Sequence, residues 1–320
     1  MQTGGNEKLA LRRPDDFKHH SVQLKDVKMH YVMEGKGEPI VLIHGWPGFW
    51  WEWNANIGPL AETHTVIVPD MRGYGDSEKP DLNDLSKYHI DRTVDDMAQL
   101  LDHLGYKDAY WVGHDWSAIV MHKFVRQYRE KVKRVVWFNA DLPGIEARYL
   151  SVPHFQESWY SQFHQWPMSW ELVTHDRETV KIYFRHFFNH WSSPQNPIPE
   201  EELEVHVDNL VKPGNVQGGF NFYRSNLNVH TSVVWTPLDR TLSDVPAVFL
   251  WGVDDPVVAV TWSDYIPDWY TNFIYKALPN VGHFVMREAT QLVNNTLREF
   301  FRSDVSVEEA FKNIKEKAWR

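Results

Sequence analysis

The sequence predicts an α/β protein in which helices flank a mostly parallel central sheet and a mostly helical cap is inserted in the sheet domain. Short apolar or β-branched runs alternate with longer segments whose apolar residues recur every three or four positions, as in βαβ units. Across residues 142–237 apolar strands disappear, and aromatic residues and histidines become frequent. A chain of 320 residues can hold one large core plus such an insertion. We therefore expect a core domain formed by residues 1–141 and 238–320, with residues 142–237 as the cap.

The expected elements follow the chain in order. Seven short runs are expected to be strands, at 28–33, 40–44, 65–69, 109–112, 134–138, 247–251 and 273–277. Three segments carry apolar residues at helical spacing, at 92–104, 116–130 and 289–302. In the cap, the proline-interrupted stretch 193–199 indicates a connection, and the acidic run 200–204 is expected to open a helix, where the helix dipole favours negative charge. The last segment, 305–320, is typical of a charged amphipathic helix.

The composition excludes several classes of function. With 33 basic and 43 acidic residues the net charge is −10, which disfavours a nucleic-acid partner. The absence of cysteine excludes disulfides, thiol catalysis and thiolate metal sites. No apolar run reaches the roughly eighteen residues of a membrane span, and residues 1–8 lack the apolar core of a secretory signal. We expect a soluble, cytoplasmic protein with no membrane partner.

An aspartate occupies the position of a nucleophile between a predicted strand and a predicted helix. Asp115 lies in Gly113-His114-Asp115-Trp116-Ser117, where small residues permit a sharp strand-to-helix turn that exposes the nucleophile. A serine that attacks an sp3 carbon would leave an ether, whereas an aspartate leaves an ester that water can cleave. The expected substrates are therefore epoxides or alkyl halides. The alternative is that Asp115 only caps the helix.

After Asp115 the chain offers candidates for an acid and then for a base. This order, nucleophile then acid then histidine, is the one expected when the nucleophile stands at such a strand-to-helix turn. His283 follows one predicted strand and is expected to take a proton from water, while an acidic residue holds its other ring nitrogen. Asp255 is preferred as that acid because it stands four residues after Trp251, in the usual Trp-Gly-x-x-Asp pattern, and the neighbouring Asp254 stays open. Loop capping is the alternative for both aspartates.

Two backbone amides are expected to stabilise the anion that forms when water attacks the ester. In a strand–nucleophile–helix turn of this kind, the donors are the amide after the nucleophile, here Trp116, and one from the loop after an earlier strand, here Trp46 in His44-Gly45-Trp46-Pro47. Each such donor typically lowers the barrier by about 3–4 kcal/mol.

Nearly the whole chain resembles an epoxide hydrolase of the α/β-hydrolase fold, of the soluble bacterial epichlorohydrin-hydrolase type. The resemblance rests on seven stretches: residues 44–47, 70–77, 113–116, 251–255, 282–283, and the two cap motifs at 157–163 and 218–224. In that family each cap motif contributes one tyrosine whose hydroxyl points at the epoxide oxygen, which implies this role for Tyr160 and Tyr223. The spacing from the acid loop to His283 looks one residue short of close relatives, which keeps Asp254 in consideration.

The resemblance implies hydrolysis of an epoxide to a vicinal diol through a covalent ester on Asp115. A phenol suits the tyrosine role, because its pKa near 10 keeps it protonated and yet able to donate to an alkoxide. The expected partners are a small epoxide and water, with no metal and no organic cofactor, and the sequence allows a homo-oligomer. Phe49, Trp50 and Phe222 are expected to line an apolar cavity for the substrate, although most of the 16 tryptophans should simply pack.

Two other functions fit part of the pattern. A haloalkane dehalogenase shares the aspartate nucleophile and often the following tryptophan, but usually has Asn or Glu at the position of Trp46 and lacks the cap tyrosines. A non-catalytic protein of the same fold that binds a small ligand is the second alternative. Among the remaining charged residues, Asp70 and Arg72 are expected to form a structural ion pair, and His114 is expected to pack.

Overall fold

The computed structural model describes residues 11–143, 145, 148, 151–227 and 241–319. Within them, eight strands form one sheet in the order β1-β2-β4-β3-β5-β6-β7-β8. The strands are β1 (His19–Gln23), β2 (Lys28–Gly35), β3 (Pro39–Ile43), β4 (Thr65–Pro69), β5 (Ala109–His114), β6 (Val132–Phe138), β7 (Ala247–Gly252) and β8 (Phe273–Leu278). β2 pairs antiparallel with β1 and β4, and all other pairs are parallel. The predicted mostly parallel sheet is confirmed.

Burial explains which strands could be predicted. Every residue of β3, β4, β5 and β7 is buried, as expected for parallel strands covered by helices on both faces. All seven predicted strands are present. β1 was missed because its sequence, His-His-Ser-Val-Gln, is polar and Val22 alone is buried, which is the pattern of an edge strand.

The helices of the core cover the two faces of the sheet. They are α1 (Asn54–Ala61), α2 (Ile90–His103), α3 (Trp116–Gln127), and, after the cap, α9 (Val285–Glu288), α10 (Thr290–Phe300) and α11 (Val307–Asn313). Three match the predicted helices, and α11 with the π-helical turn Ile314–Ala318 matches the predicted C-terminal one. α3 ends before the predicted residue 130, because Tyr128 leaves the helical conformation at φ −128° and ψ 49°. α1 was missed because Gly58 and Pro59 interrupt its helical pattern.

In the described part of the segment between β6 and β7, the regular elements are helices, joined by turns and irregular stretches. Its helices are α4 (Val152–Phe163), α5 (Pro167–Val173), α6 (Arg177–His190), α7 (Glu200–Leu210) and α8 (Asn215–Asn226). α7 begins at the acidic run, as predicted. The predicted end of the cap at residue 237 lies outside the described residues. No helix among the described residues is long and apolar enough to cross a membrane.

Candidate active site

Asp115 stands at the turn between β5 and α3 in a backbone conformation that few non-glycine residues adopt. Its φ is 53° and its ψ is −127°, and holding an aspartate there costs about 1–3 kcal/mol. The turn from β3 passes so close that a Cβ added to Gly45 would lie 2.5 Å from the Asp115 Cβ. The rest of the fold therefore holds the Asp115 carboxylate in a strained, buried position at the carboxyl end of the sheet, where active sites concentrate strain.

His283 lies between two carboxylates. Its Nε2 is 3.4 Å from Asp115 Oδ2, and its Nδ1 is 2.8 Å from Asp255 Oδ2. The loops after β8 and β7 carry His283 and Asp255, and both side chains are fully buried. Asp254 instead accepts a hydrogen bond from the Ser193 hydroxyl at 2.7 Å. The structure thus places Asp255, and not Asp254, against the histidine.

The Asp255 carboxylate is fixed on every side by N–H donors. Its Oδ1 accepts the amides of Val257 at 2.8 Å and Val258 at 3.0 Å, and its Oδ2 accepts the Asn139 side chain as well as facing His283. Asn139 follows β6 with a φ of 42°, and its Oδ1 accepts the amide of Gly252. This asparagine holds the acid in place, and no sequence motif had pointed to it.

The two expected amides lie at the nucleophile. The Trp46 amide donates to Asp115 Oδ1 at 2.7 Å. Burial alone would raise the pKa of Asp115, but the His283 imidazole 3.4 Å away, the electrostatic effect of His114 and the Trp116 amide lower it below its ordinary value. Asp115 is therefore ionised at neutral pH, with Oδ1 bound by the Trp46 amide and Oδ2 turned to His283.

The electrostatic state of His283 depends on its two neighbours. Burial alone would lower its pKa, but the charge of Asp255, its hydrogen bond to the ring and the nearby Asp115 carboxylate outweigh burial and raise the pKa to about 10. As long as Asp115 is a free carboxylate, His283 is positively charged at neutral pH.

Two cap tyrosines lie over this site. Tyr160 on α4 and Tyr223 on α8 are both buried, and their ring centroids are 5.7 Å apart. Tyr160 stacks on Trp46 at 5.5 Å with nearly parallel planes, and Tyr223 meets Trp46 edge-on at 5.7 Å. Tyr223 also contacts Trp116 at 5.0 Å. Tyr160 therefore borders Trp46, and Tyr223 borders both Trp46 and Trp116.

Comparison with known proteins agrees with this geometry. The model of a family described as alpha/beta hydrolase fold matches residues 38–290. The soluble epoxide hydrolase of Corynebacterium sp. (strain C12) is 31% identical over 293 residues, covering 89% of this chain and 98% of the relative. The solved structure of the epoxide hydrolase CorEH without ligand superposes with a TM-score of 0.76 at 31% identity, covering 89% of this chain and 98% of that one. An epoxide hydrolase structure from Vigna radiata gives a TM-score of 0.75 at 27% identity over 89% and 98% of the two chains.

The chain belongs to the epoxide hydrolases of the α/β-hydrolase fold. The resemblance drawn from the sequence motifs is thereby confirmed.

Phe222, Phe49 and Trp50, which were expected to line the substrate cavity of this epoxide hydrolase, lie in different parts of the structure. Phe222 is buried on α8 with its ring 6.1 Å from Trp116, close to the site. Phe49 packs edge-on against His206 of α7 at 5.5 Å, and none of its ring contacts in the described structure involves Asp115, His283 or the cap tyrosines.

The expectation for Trp50 is wrong. Its ring packs against Phe17 at 4.9 Å and against His19 at 5.4 Å, beside the N-terminal strands. The 3₁₀ turn Trp50–Trp53 follows the Trp46 loop directly and turns the Trp50 ring away from the cap. Trp50 is a core residue.

Sequence analysis missed two aromatic residues at the site. The Trp191 ring lies 5.0 Å from both His283 and Tyr160, between the base and the cap. Tyr74 is buried, and burial together with the negative charge of Asp115 raises its pKa well above the ordinary value. Tyr74 lies within the motif at 70–77, which could have identified it, whereas nothing distinguished Trp191 among the other tryptophans of the chain.

The expected ion pair between Asp70 and Arg72 does not form. Arg72 reaches α2 and binds both carboxylate oxygens of Asp96 at 2.7 Å. Asp70 accepts from His30 Nδ1 at 2.8 Å and from backbone amides. Both residues lie beyond the end of β4, in a turn where the regular alternation of a strand no longer sets side-chain direction, so proximity in sequence did not make them partners. His114 is buried, with its Nε2 2.9 Å from the His283 carbonyl oxygen.

Proposed function

We propose that this enzyme converts an epoxide and water to a vicinal diol through an ester on Asp115. The observation that carries the proposal is the position of an ionised, strained Asp115 between two backbone amides, a histidine and two cap tyrosines. An aspartate ester is the intermediate that water can hydrolyse after attack on a strained carbon.

In the first step Asp115 Oδ2 attacks a ring carbon, because Oδ1 is engaged by the Trp46 amide. The C–O bond of the epoxide breaks and its electron pair goes to the ring oxygen. Tyr160 and Tyr223 bind that oxygen and one of them gives it a proton. The resulting phenolate regains a proton from solvent.

In the second step water attacks the ester carbonyl carbon. Esterification removes the charge of Asp115, so one of the two carboxylates that raise the pKa of His283 is lost. His283 then gives up its proton, which balances the proton taken up by the alkoxide, and its neutral imidazole accepts a proton from the attacking water. The amides of Trp46 and Trp116 stabilise the anion that develops on Oδ1. When this intermediate collapses, its C–O bond to the substrate breaks and the proton of the newly added hydroxyl passes to the leaving alkoxide, which releases the diol and the Asp115 carboxylate.

The side chains around the tyrosines favour an apolar or aryl-bearing epoxide. The Trp46 ring contacts Phe184, Phe187 and Trp191, so aromatic surface borders the space between the cap and Asp115. The scheme requires no metal and no organic cofactor. A cytoplasmic location and assembly into a homo-oligomer stay predictions, for which cell fractionation and light scattering are the tests.

The test separates the two steps. Purified protein is incubated with styrene oxide and, separately, with a chloroalkane, and diol and halide are measured, with Asp115→Ala as the blank. We expect diol from the epoxide and no halide, and we expect His283→Gln to accumulate an adduct of enzyme plus epoxide in intact mass spectra. Halide release from the chloroalkane would favour the dehalogenase alternative, and the absence of both diol and halide would favour the binding-protein alternative. Absence of the adduct in His283→Gln would contradict the two-step scheme.

A further inference from the structure

The cap crosses the catalytic histidine through a short segment at the end of α6, residues 191–197, here named the cap strap. The His283 amide donates to the Trp191 carbonyl at 2.7 Å. The strap passes directly over Gly282, where an added Cβ would lie 2.3 Å from the Trp191 carbonyl oxygen and 2.5 Å from the Ser193 nitrogen. The backbone at His283 is therefore in direct contact with the cap, and a glycine is needed at 282 for this approach.

One carboxylate joins the strap to both sides of His283. Glu288 Oε2 accepts the amide of Gly282 at 2.8 Å and the amide of Ser193 at 2.8 Å. Its Oε1 accepts the amide of Phe284 at 3.1 Å. The residues before and after His283 and a residue of the cap thus share a single anionic acceptor, and hydrogen bonds to a charged group are the stronger kind.

The neighbouring Arg287 strengthens the same junction. Its guanidinium donates to the Ser192 hydroxyl at 2.7 Å and to the Asn196 carbonyl at 2.5 Å. The strap begins at Trp191, whose ring touches both His283 and Tyr160. Fixing the strap on the His283 loop therefore also fixes the distance between the base and the cap.

We propose that Glu288 is a positioning residue that orients His283 for hydrolysis of the ester by tying the His283 loop to the cap strap. The inference rests on the proposed two-step mechanism. Because His283 acts as a base only in the second step, loss of Glu288 slows ester decay far more than ester formation. A misplaced catalytic group can cost up to about 10²-fold in rate, so we expect ester decay to fall by roughly 10–100-fold and ester formation by less than about 3-fold.

A purely structural role predicts a different kinetic pattern. When ester decay alone slows, kcat and KM fall together and kcat/KM is unchanged, because the ester accumulates. When part of the enzyme is merely unfolded, kcat and kcat/KM fall together and KM is unchanged. KM is thus a measure that does not depend on the folded fraction.

The experiment uses the full chain with Glu288→Ala, Glu288→Gln and, as a matched control, Glu309→Gln at an exposed site. Ester formation and decay are followed in single turnovers of styrene oxide by rapid quench and intact mass. The glutamine variant keeps one oxygen for Gly282 and Ser193, so we expect a smaller loss, roughly 3–10-fold, with the control unchanged. If Glu288→Ala fails to fold, Glu288→Gln decides by the same criterion.

Equal slowing of both steps, or ester decay at the wild-type rate in both variants, would overturn the proposal. His283→Gln is measured in parallel to separate the two hypotheses. If His283→Gln forms no ester, the two-step mechanism is wrong. If it accumulates ester while the Glu288 variants behave as wild type, the positioning role alone is wrong.

Discussion

Replacing Asp255 by asparagine should trap the enzyme as its ester, because of how the four donors around the carboxylate are arranged. The amides of Val257 and Val258 both donate to Oδ1, while Asn139 and His283 face Oδ2. The amides of Val257 and Val258 can only donate hydrogen bonds, so an asparagine at position 255 must keep its side-chain oxygen toward them. Its NH2 group then faces His283. The imidazole then accepts at Nδ1 and carries its proton on Nε2, which faces Asp115 and can no longer take a proton from water.

The expected loss is roughly 10³–10⁴-fold in ester decay, about 4–5.5 kcal/mol, in line with the wrong-tautomer effect in other triads. Ester formation should change little, because Asp115 stays ionised. Single-turnover mass spectrometry measures both rates. Asp254→Asn is the matched control, since Asp254 only accepts from the Ser193 hydroxyl, and its decay rate should stay within about 3-fold of wild type. A larger loss in Asp254→Asn than in Asp255→Asn would refute this reasoning.

Two further predictions concern the cap and the core. Tyr160→Phe and Tyr223→Phe should each slow ester formation by only about 10–100-fold, because the remaining phenol still donates to the alkoxide. Ester decay should be unaffected. Unchanged ester formation in both variants would remove the tyrosines from the mechanism. Burial alone would raise the pKa of Asp70, but the hydrogen bond and charge of His30 lower it to about 2. A carboxyl whose pKa is lower in the folded state stabilises the fold at pH values above its unfolded pKa near 4, and that stabilisation is lost as the pH falls toward 2. Asp70→Asn should therefore reduce the free energy of unfolding by about 2 kcal/mol at pH 7 and by less at pH 3. Urea unfolding at the two pH values checks this, and an equal loss at both would contradict it.

The elements and the candidate reacting residues could be predicted because each carries a local signal in the sequence. The parallel strands read as continuous apolar runs, and Asp115 and His283 follow strands in a fixed chain order. The remainder depends on contacts between distant residues. Trp46 and Trp50 are four residues apart and equally aromatic, yet one contacts the cap and the other the N-terminal strands. The Trp-Gly-x-x-Asp pattern favoured Asp255 but left Asp254 open, and the contacts of the folded chain place Asp255 at His283 and Asp254 at Ser193.

Esterification changes the charge of the site at the moment when a base is needed. In the proposed mechanism His283 is an imidazolium while Asp115 is a free carboxylate, so His283 cannot activate water at that stage. The ring-opening step therefore proceeds with Asp115 as an ionised nucleophile. Once Asp115 is an ester, Asp255 is the one remaining carboxylate at the ring, so the pKa of His283 falls and the imidazolium gives up its proton more readily. A base with a permanently low pKa would remove one of the groups that lower the pKa of the buried Asp115 and would leave the Trp46 and Trp116 amides to favour its ionised form. The raised pKa of His283 therefore serves the first step, and its fall on esterification serves the second.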